Sequence, residues 1–175
     1  MARGSLDYLI ADVRALTPQC PEFTDDEIAA ALDARRVEVR YMPLVEHESI
    51  APGGVVNYLV FTAPTGSWES PELTDGDYNV VTADVSDLRN GRFEFTAEPD
   101  LPVTLTGWTH DVAGAAGTLL LAASARTADG IDVSADSLSV KRSGRSKALR
   151  DAGYALLAQA RPQSIESVRD DEVVS

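Results

Sequence analysis

The chain has 175 residues, 44% of them hydrophobic, and a net charge of −13, enough for one core or for one core with a substantial inserted element. A single cysteine, Cys20, excludes an intrachain disulfide framework. No apolar stretch approaches the ~18 uninterrupted residues of a membrane span, and the N-terminal pattern is broken by Asp7 and Asp12, so the expectation is a soluble chain made inside the cell.

In "SLDYLIADVRAL", Leu6, Leu9, Ile10, Val13 and Leu16 recur at helical spacing, and Ser5 stands where a cap belongs. Two prolines in "TPQCPEF" then break the chain. Thr24 followed by Glu27 is a capping box, with Asp25 and Asp26 at the positive end of the dipole and Arg35 and Arg36 near its negative end. This predicts a second helix over "TDDEIAAALDARRVEVR" that turns Ile28, Ala31 and Leu32 to the core.

From Tyr41 to Thr106 the period becomes that of strands. "VVNYLVFTA", "YNVVTADV", "GRFEFTA" and "LPVTLTGW" are separated by "PGG", "DG" and "NG" turn signals, which predicts a small antiparallel β element inserted between helices. A third helix is expected from about Thr109 or Asp111 to Ala125. "RTADGIDVSADSLSVKRS" connects it, with strand-like alternation, to a fourth helix from near Ser143 that Arg161-Pro162 stops. The resulting class is α+β, a bundle of about four helices with an inserted antiparallel β domain. Its parts are residues 1–40, a helix pair; 41–106, the β domain; 107–161, the Ala-rich and closing helices; and 162–175, an extension with too little apolar content to fold alone.

Charge is segregated along this chain. Residues 38–105 hold twelve acids against three bases, whereas residues 141–161 hold six bases against Asp151 alone. Such regions attract each other or each other's copies, and a solvated basic helix face is the bland alternative.

The search for chemistry is nearly empty. His47 and His110 have no second ligand at metal-binding spacing, and Cys20 between Pro18 and Pro21 reads as a buried structural thiol. No nucleophile elbow, phosphate loop or dinucleotide fingerprint is present. The alternate pairs Glu46/Glu48 and Asp75/Asp77 each place two carboxylates on one strand face, where a solvated face is the stronger reading than acid–base or cation chemistry. The sequence therefore predicts no catalytic residue, no metal site and no cofactor.

Along "DVAGAAGTLLLAASA" no charge falls between Asp111 and Arg126. Two interior glycines cost roughly 1 kcal/mol each against alanine, which close packing should offset. Burial on most sides, partly by another subunit, accounts for this, and it makes Gly114 and Gly117 candidate subunit-interface residues. Lys141, Arg142, Arg145 and Lys147 join them, because positive charge at a helix start opposes the dipole and calls for an acidic partner.

The ordered blocks "ARRVEVRYMPL", "PGGVVNYLVFTA", "GSWE", "YNVVTADVSDLRNGRFEFTAE", "PVTLTGWTHDVAGAAGTLLLAASA" and "VKRSGRSKALRDAGYALLAQARP" resemble the head-to-tail connector (adaptor) proteins of long-tailed bacteriophages. The resemblance spans nearly the whole chain. It rests above all on an x-G-W-x-x-D lead into an Ala-rich helix, followed by a basic, serine-containing segment and a closing helix. Gly114 and Gly117 depart from it, since the family more often has bulkier helix formers there. The resemblance implies a non-catalytic virion protein of the neck. Its twelvefold homo-oligomeric ring would bind the portal protein, dock the next neck or tail component and let DNA pass without specific binding, with no membrane involved. In it the closing segment reaches the portal, which makes Ile165, Val168, Val173 and Val174 the portal-binding candidates. The rivals are another neck or tail protein, such as a stopper or tail-completion subunit, and a β-rich binding module using Trp68 and Trp108 as an aromatic platform.

Overall fold

The structure, a computed structural model, describes residues 4–50, 54–128, 133–135, 138–140 and 142–161. It is α+β, with four α-helices and two four-stranded antiparallel sheets. A 3-10 turn (Gly4–Leu6) leads into α1 (Asp7–Leu16), and α2 is Asp25–Asp33. The Thr24–Glu27 capping box is formed in both directions, so two otherwise orphaned amides at the start of α2 are satisfied.

α2 is shorter than the sequence predicts. It stops at Asp33, and Arg36–Pro43 is strand β1. The paired arginines mimic a helix C-terminus correctly, but Val37 and Val39 are β-branched residues in strict alternation, and that period favours a strand over further helix. Strands β2 (Val45–Ile50), β3 (Val56–Thr62), β4 (Trp68–Thr74), β5 (Val80–Val81), β6 (Val85–Asp87), β7 (Arg92–Glu94) and β8 (Thr104–His110) follow. The β region thus begins before residue 41 and ends beyond 106, with "GWTH" still in strand β8. Sheet I has the order β1-β8-β4-β5 and sheet II the order β2-β3-β7-β6.

After β8, a single residue, Asp111, precedes α3 (Val112–Ala128). The short pair β9 (Val133–Ala135) and β10 (Leu138–Val140) leads to α4 (Arg142–Leu157), which packs on α3.

Two cores result. The helical core gathers Leu9, Val13, Ile28, Leu32, Ala115, Ala116 and Leu120, with Leu149 of α4 at its border. The β core lies between the sheets, where Leu73, Val103 and Leu105 of the sheet I side meet Phe61, Phe93 and Phe95 of the sheet II side. Phe61 and Phe95 meet edge to face with centroids 5.5 Å apart.

Gly117 explains why a costly residue sits inside α3. A Cβ there would lie 2.9 Å from the carbonyl oxygen of Gly153 and 2.9 Å from Leu157 Cγ, so α3 and α4 approach through two facing glycines. Gly144, in the first turn of α4, has nothing within 4 Å of a built Cβ. Gly117→Ala should therefore destabilise by about 1–3 kcal/mol, the overpacking cost exceeding its gain in helix propensity. Gly144→Ala should stabilise by up to about 1 kcal/mol. Urea midpoints of the two variants check this, and equal midpoints would refute the close crossing.

Candidate assembly surfaces and the buried polar seam

The helical and β cores meet across polar groups taken out of water. Glu69 of β4 is 5% exposed and His110 of β8 is 1% exposed. Ser5 Oγ donates to Glu69 Oε1 at 2.7 Å, Glu69 Oε2 lies 3.0 Å from His110 Nε2, and His110 Nδ1 lies 3.3 Å from the Leu32 carbonyl at the end of α2. The Tyr8 hydroxyl of α1 donates to the Trp68 carbonyl, and burial, reinforced by Asp12, pushes that phenol's pKa upward.

Serine, histidine and carboxylate invite comparison with a nucleophilic triad, but the order is wrong for one. A triad needs the base on the serine hydroxyl, and here the carboxylate sits between the other two. The geometry suits a structural link between α1, α2 and sheet I.

Asp111 is the second element of the seam. Its Oδ1 accepts from Gly114 N at 3.0 Å and caps α3, while its Oδ2 pairs with Arg35 Nη1 at 3.2 Å. Arg35 Nε reaches Thr118 Oγ1 at 3.2 Å, so one guanidinium holds the first two turns of α3. A Cβ on Gly114 would collide with both Asp111 Oδ2 and Arg35 Nη1.

This corrects the interface assignment of the two glycines. Gly114 and Gly117 are buried within the chain, and the close approach each permits is made by the chain's own Arg35–Asp111 pair and by α4. An uncharged helix face looked like a subunit contact because sequence does not show that α1, α2 and α4 all cover α3.

The basic segment is different. Arg145 is exposed and donates to the Gln19 carbonyl at 3.2 Å. Lys147 and Arg150 are exposed and, among the described residues, have no carboxylate partner. By contrast every arginine between residues 4 and 128 has a carboxylate within 3.7 Å. Arg142 opens α4, and Lys141 lies outside the described residues, as do Ile165, Val168, Val173 and Val174.

The sequence marks Glu46 and Glu48 as a strand-face pair but not the exposed apolar residues that the β2–β3 hairpin sets beside them. β2 is an edge strand with Val45, Glu46, His47, Glu48 and Ile50 all exposed. Glu48 Oε1 accepts from the Tyr58 hydroxyl at 3.3 Å, and the charges of Glu48 above all, with Glu46 and Glu98, raise the pKa of that phenol. Acidic field and bare apolar side chains coincide there.

Of the remaining candidates, Cys20 is buried, and burial with Glu22 nearby raises its thiol pKa, as befits a structural thiol. Asp75 is a turn carboxylate that accepts from the amides of Asp77 and Asn79. Trp68 is fully buried and donates to the Thr65 carbonyl at 2.7 Å, while Arg36 covers Trp108 at 4.4 Å, so the two rings form no shared platform. Among the described residues no cluster of three or more His, Cys, Asp or Glu could hold a metal ion, and no helix is long and apolar enough to cross a membrane. No family model, curated protein or solved structure matches the chain.

The seam makes a quantitative prediction. His110→Ala removes the contacts to Glu69 and the Leu32 carbonyl and leaves a void in the seam, and should cost about 2 kcal/mol or more. Ser5→Ala removes one hydrogen bond near the surface and should cost about 1 kcal/mol. Denaturant titrations of both variants provide the check, and a His110→Ala loss no larger than that of Ser5→Ala would refute the seam's role.

Proposed function

We propose that this chain is a non-catalytic structural subunit of a virion neck, a head-to-tail adaptor that forms a homo-oligomeric ring under the portal. The observation that carries the assembly part of this reading is the β2–β3 hairpin. Val45 and Ile50 on the edge strand β2 are 55% and 77% exposed, and Val55 and Val56, just before and at the start of β3, are 59% and 45% exposed, a bare apolar group at a sheet edge that a chain working alone has reason to avoid. The resemblance in sequence blocks supplies the location in the virion.

In this reading the helical body forms the ring, the next neck or tail component docks beneath it, and DNA passes through its channel. The overall charge of −13 supports passage without adhesion, because carboxylates repel phosphates and a basic lining would bind them. Residues 162–175, with Ile165, Val168, Val173 and Val174, serve as the portal-binding element.

Truncation after Arg161 isolates that element. Arg161 Nη1 donates to Thr109 Oγ1 at 2.8 Å, so the shortened chain keeps its last tertiary anchor. The full chain should co-sediment as a ring with its cognate portal protein and be labelled in the neck of virions. The truncated chain should remain folded by circular dichroism and fail to join the portal. A full chain that neither binds the portal nor labels the neck would refute the proposal.

A further inference from the structure

The structure carries two exposed surfaces of opposite net charge, neither of which has an ion pair to the rest of the chain among the described residues, although Asp151 lies one turn from Lys147 on the basic one. On α4, Lys147, Arg150 and Tyr154 follow one another at spacings of three and four, which puts them on one helix face, and Tyr154 is 58% exposed. Lys147 and Arg150 have no acidic partner among the described residues. The opposite face of the helix, with Leu149 and Gly153, is spent on α3.

On β2, Glu46 and Glu48 are exposed alternate residues flanked by Val45 and Ile50. Among the described residues neither carboxylate has a cation within 4.0 Å, although Glu48 accepts from Tyr58. Both surfaces therefore combine unmatched charge with bare apolar area, the composition of an interface with a hydrophobic centre and a charged rim.

We infer that the occupant of the β2 edge is a second copy of this chain, whose α4 face of Lys147, Arg150 and Tyr154 lies against Glu46, Glu48 and the apolar residues Val45 and Ile50. The contact is head-to-tail unless two copies exchange it reciprocally about a twofold axis, which would give a closed dimer. Repetition of one such contact closes a ring when the rotation between copies closes and gives a filament when it does not. The inference rests on the homo-oligomeric part of the proposed function and supplies the surfaces that part leaves unnamed. A nucleic acid on α4 alone is the competing occupant, and it leaves the acidic hairpin without a role.

Charge reversal in complementary halves decides the matter. Variant one carries Lys147→Glu and Arg150→Glu, and variant two carries Glu46→Lys and Glu48→Lys. All four positions are exposed, and unchanged circular dichroism melting confirms that each variant folds. Each variant alone opposes like charges across the contact, so self-association should weaken by at least about tenfold relative to the original chain in sedimentation velocity at low salt. Mixed in equal amounts, the variants offer an acidic hairpin to a basic α4 and a basic hairpin to an acidic α4. The mixture should therefore associate as the original chain does.

A mixture no heavier than its separate components would overturn the inference, as would variants that associate undiminished by themselves. Portal binding separates this failure from failure of the proposed function. If the original chain still joins the portal while the mixture stays monomeric, only the α4–β2 contact is wrong; if portal binding is absent too, the adaptor reading falls with it. Loss of association in variant one together with added DNA rescuing assembly of the original chain would favour nucleic acid on α4 and also overturn the inference.

Discussion

A carboxylate removed from water is stable only if its charge is matched, and the unmatched cost is several kcal/mol. Asp111, 7% exposed, obtains that match from both sides of its position in the chain. The first turn of α3 offers the Gly114 amide, and the second residue after α2 offers the Arg35 guanidinium. Much of the molecule is arranged around this requirement. α2 must end where Arg35 can reach back, β1 must begin immediately after it, and residue 114 must lack a side chain. The Arg35 carbonyl also accepts from the Asp111 amide, so backbone and side chain agree on one register between β1 and the start of α3.

Several features were legible because local chemistry alone decides them. The Thr24–Glu27 capping box involves residues three apart and formed as expected. The apolar spacing of α1 and the turn signals of the β region likewise depend on short-range periodicity. The end of α2 was misread because helix-terminal charge and strand alternation overlap over residues 35–40. Strand β8 and helix α3 followed the expected order, with "GWTH" completing the strand before Asp111 begins the cap.

The seam was invisible for a different reason. Ser5, Glu69 and His110 are separated by 64 and 41 residues, and no spacing rule joins an N-terminal serine to a strand carboxylate and a strand histidine. The same limit applied to Gly114 and Gly117. Their cost in helix propensity was readable and correctly implied close packing, but the identity of the packing partner depends on tertiary structure. The exposed hairpin was equally hidden, since "VVNYLVF" reads as core whether or not anything covers its neighbour strand.

The direct passage of β8 into α3 has a mechanical consequence. One residue, Asp111, separates His110 in the strand from Val112 in the helix, so tension applied to sheet I reaches the central helix through covalent backbone, without a slack loop to take it up. β8 is hydrogen-bonded on both sides, to β1 and β4. A pull along its axis therefore loads two ladders in shear, where many bonds share the force, while α3 is gripped at its first turns by Arg35. The strand and the helix behave as one tie rod through the middle of the fold, and the parts attached to its two ends move together.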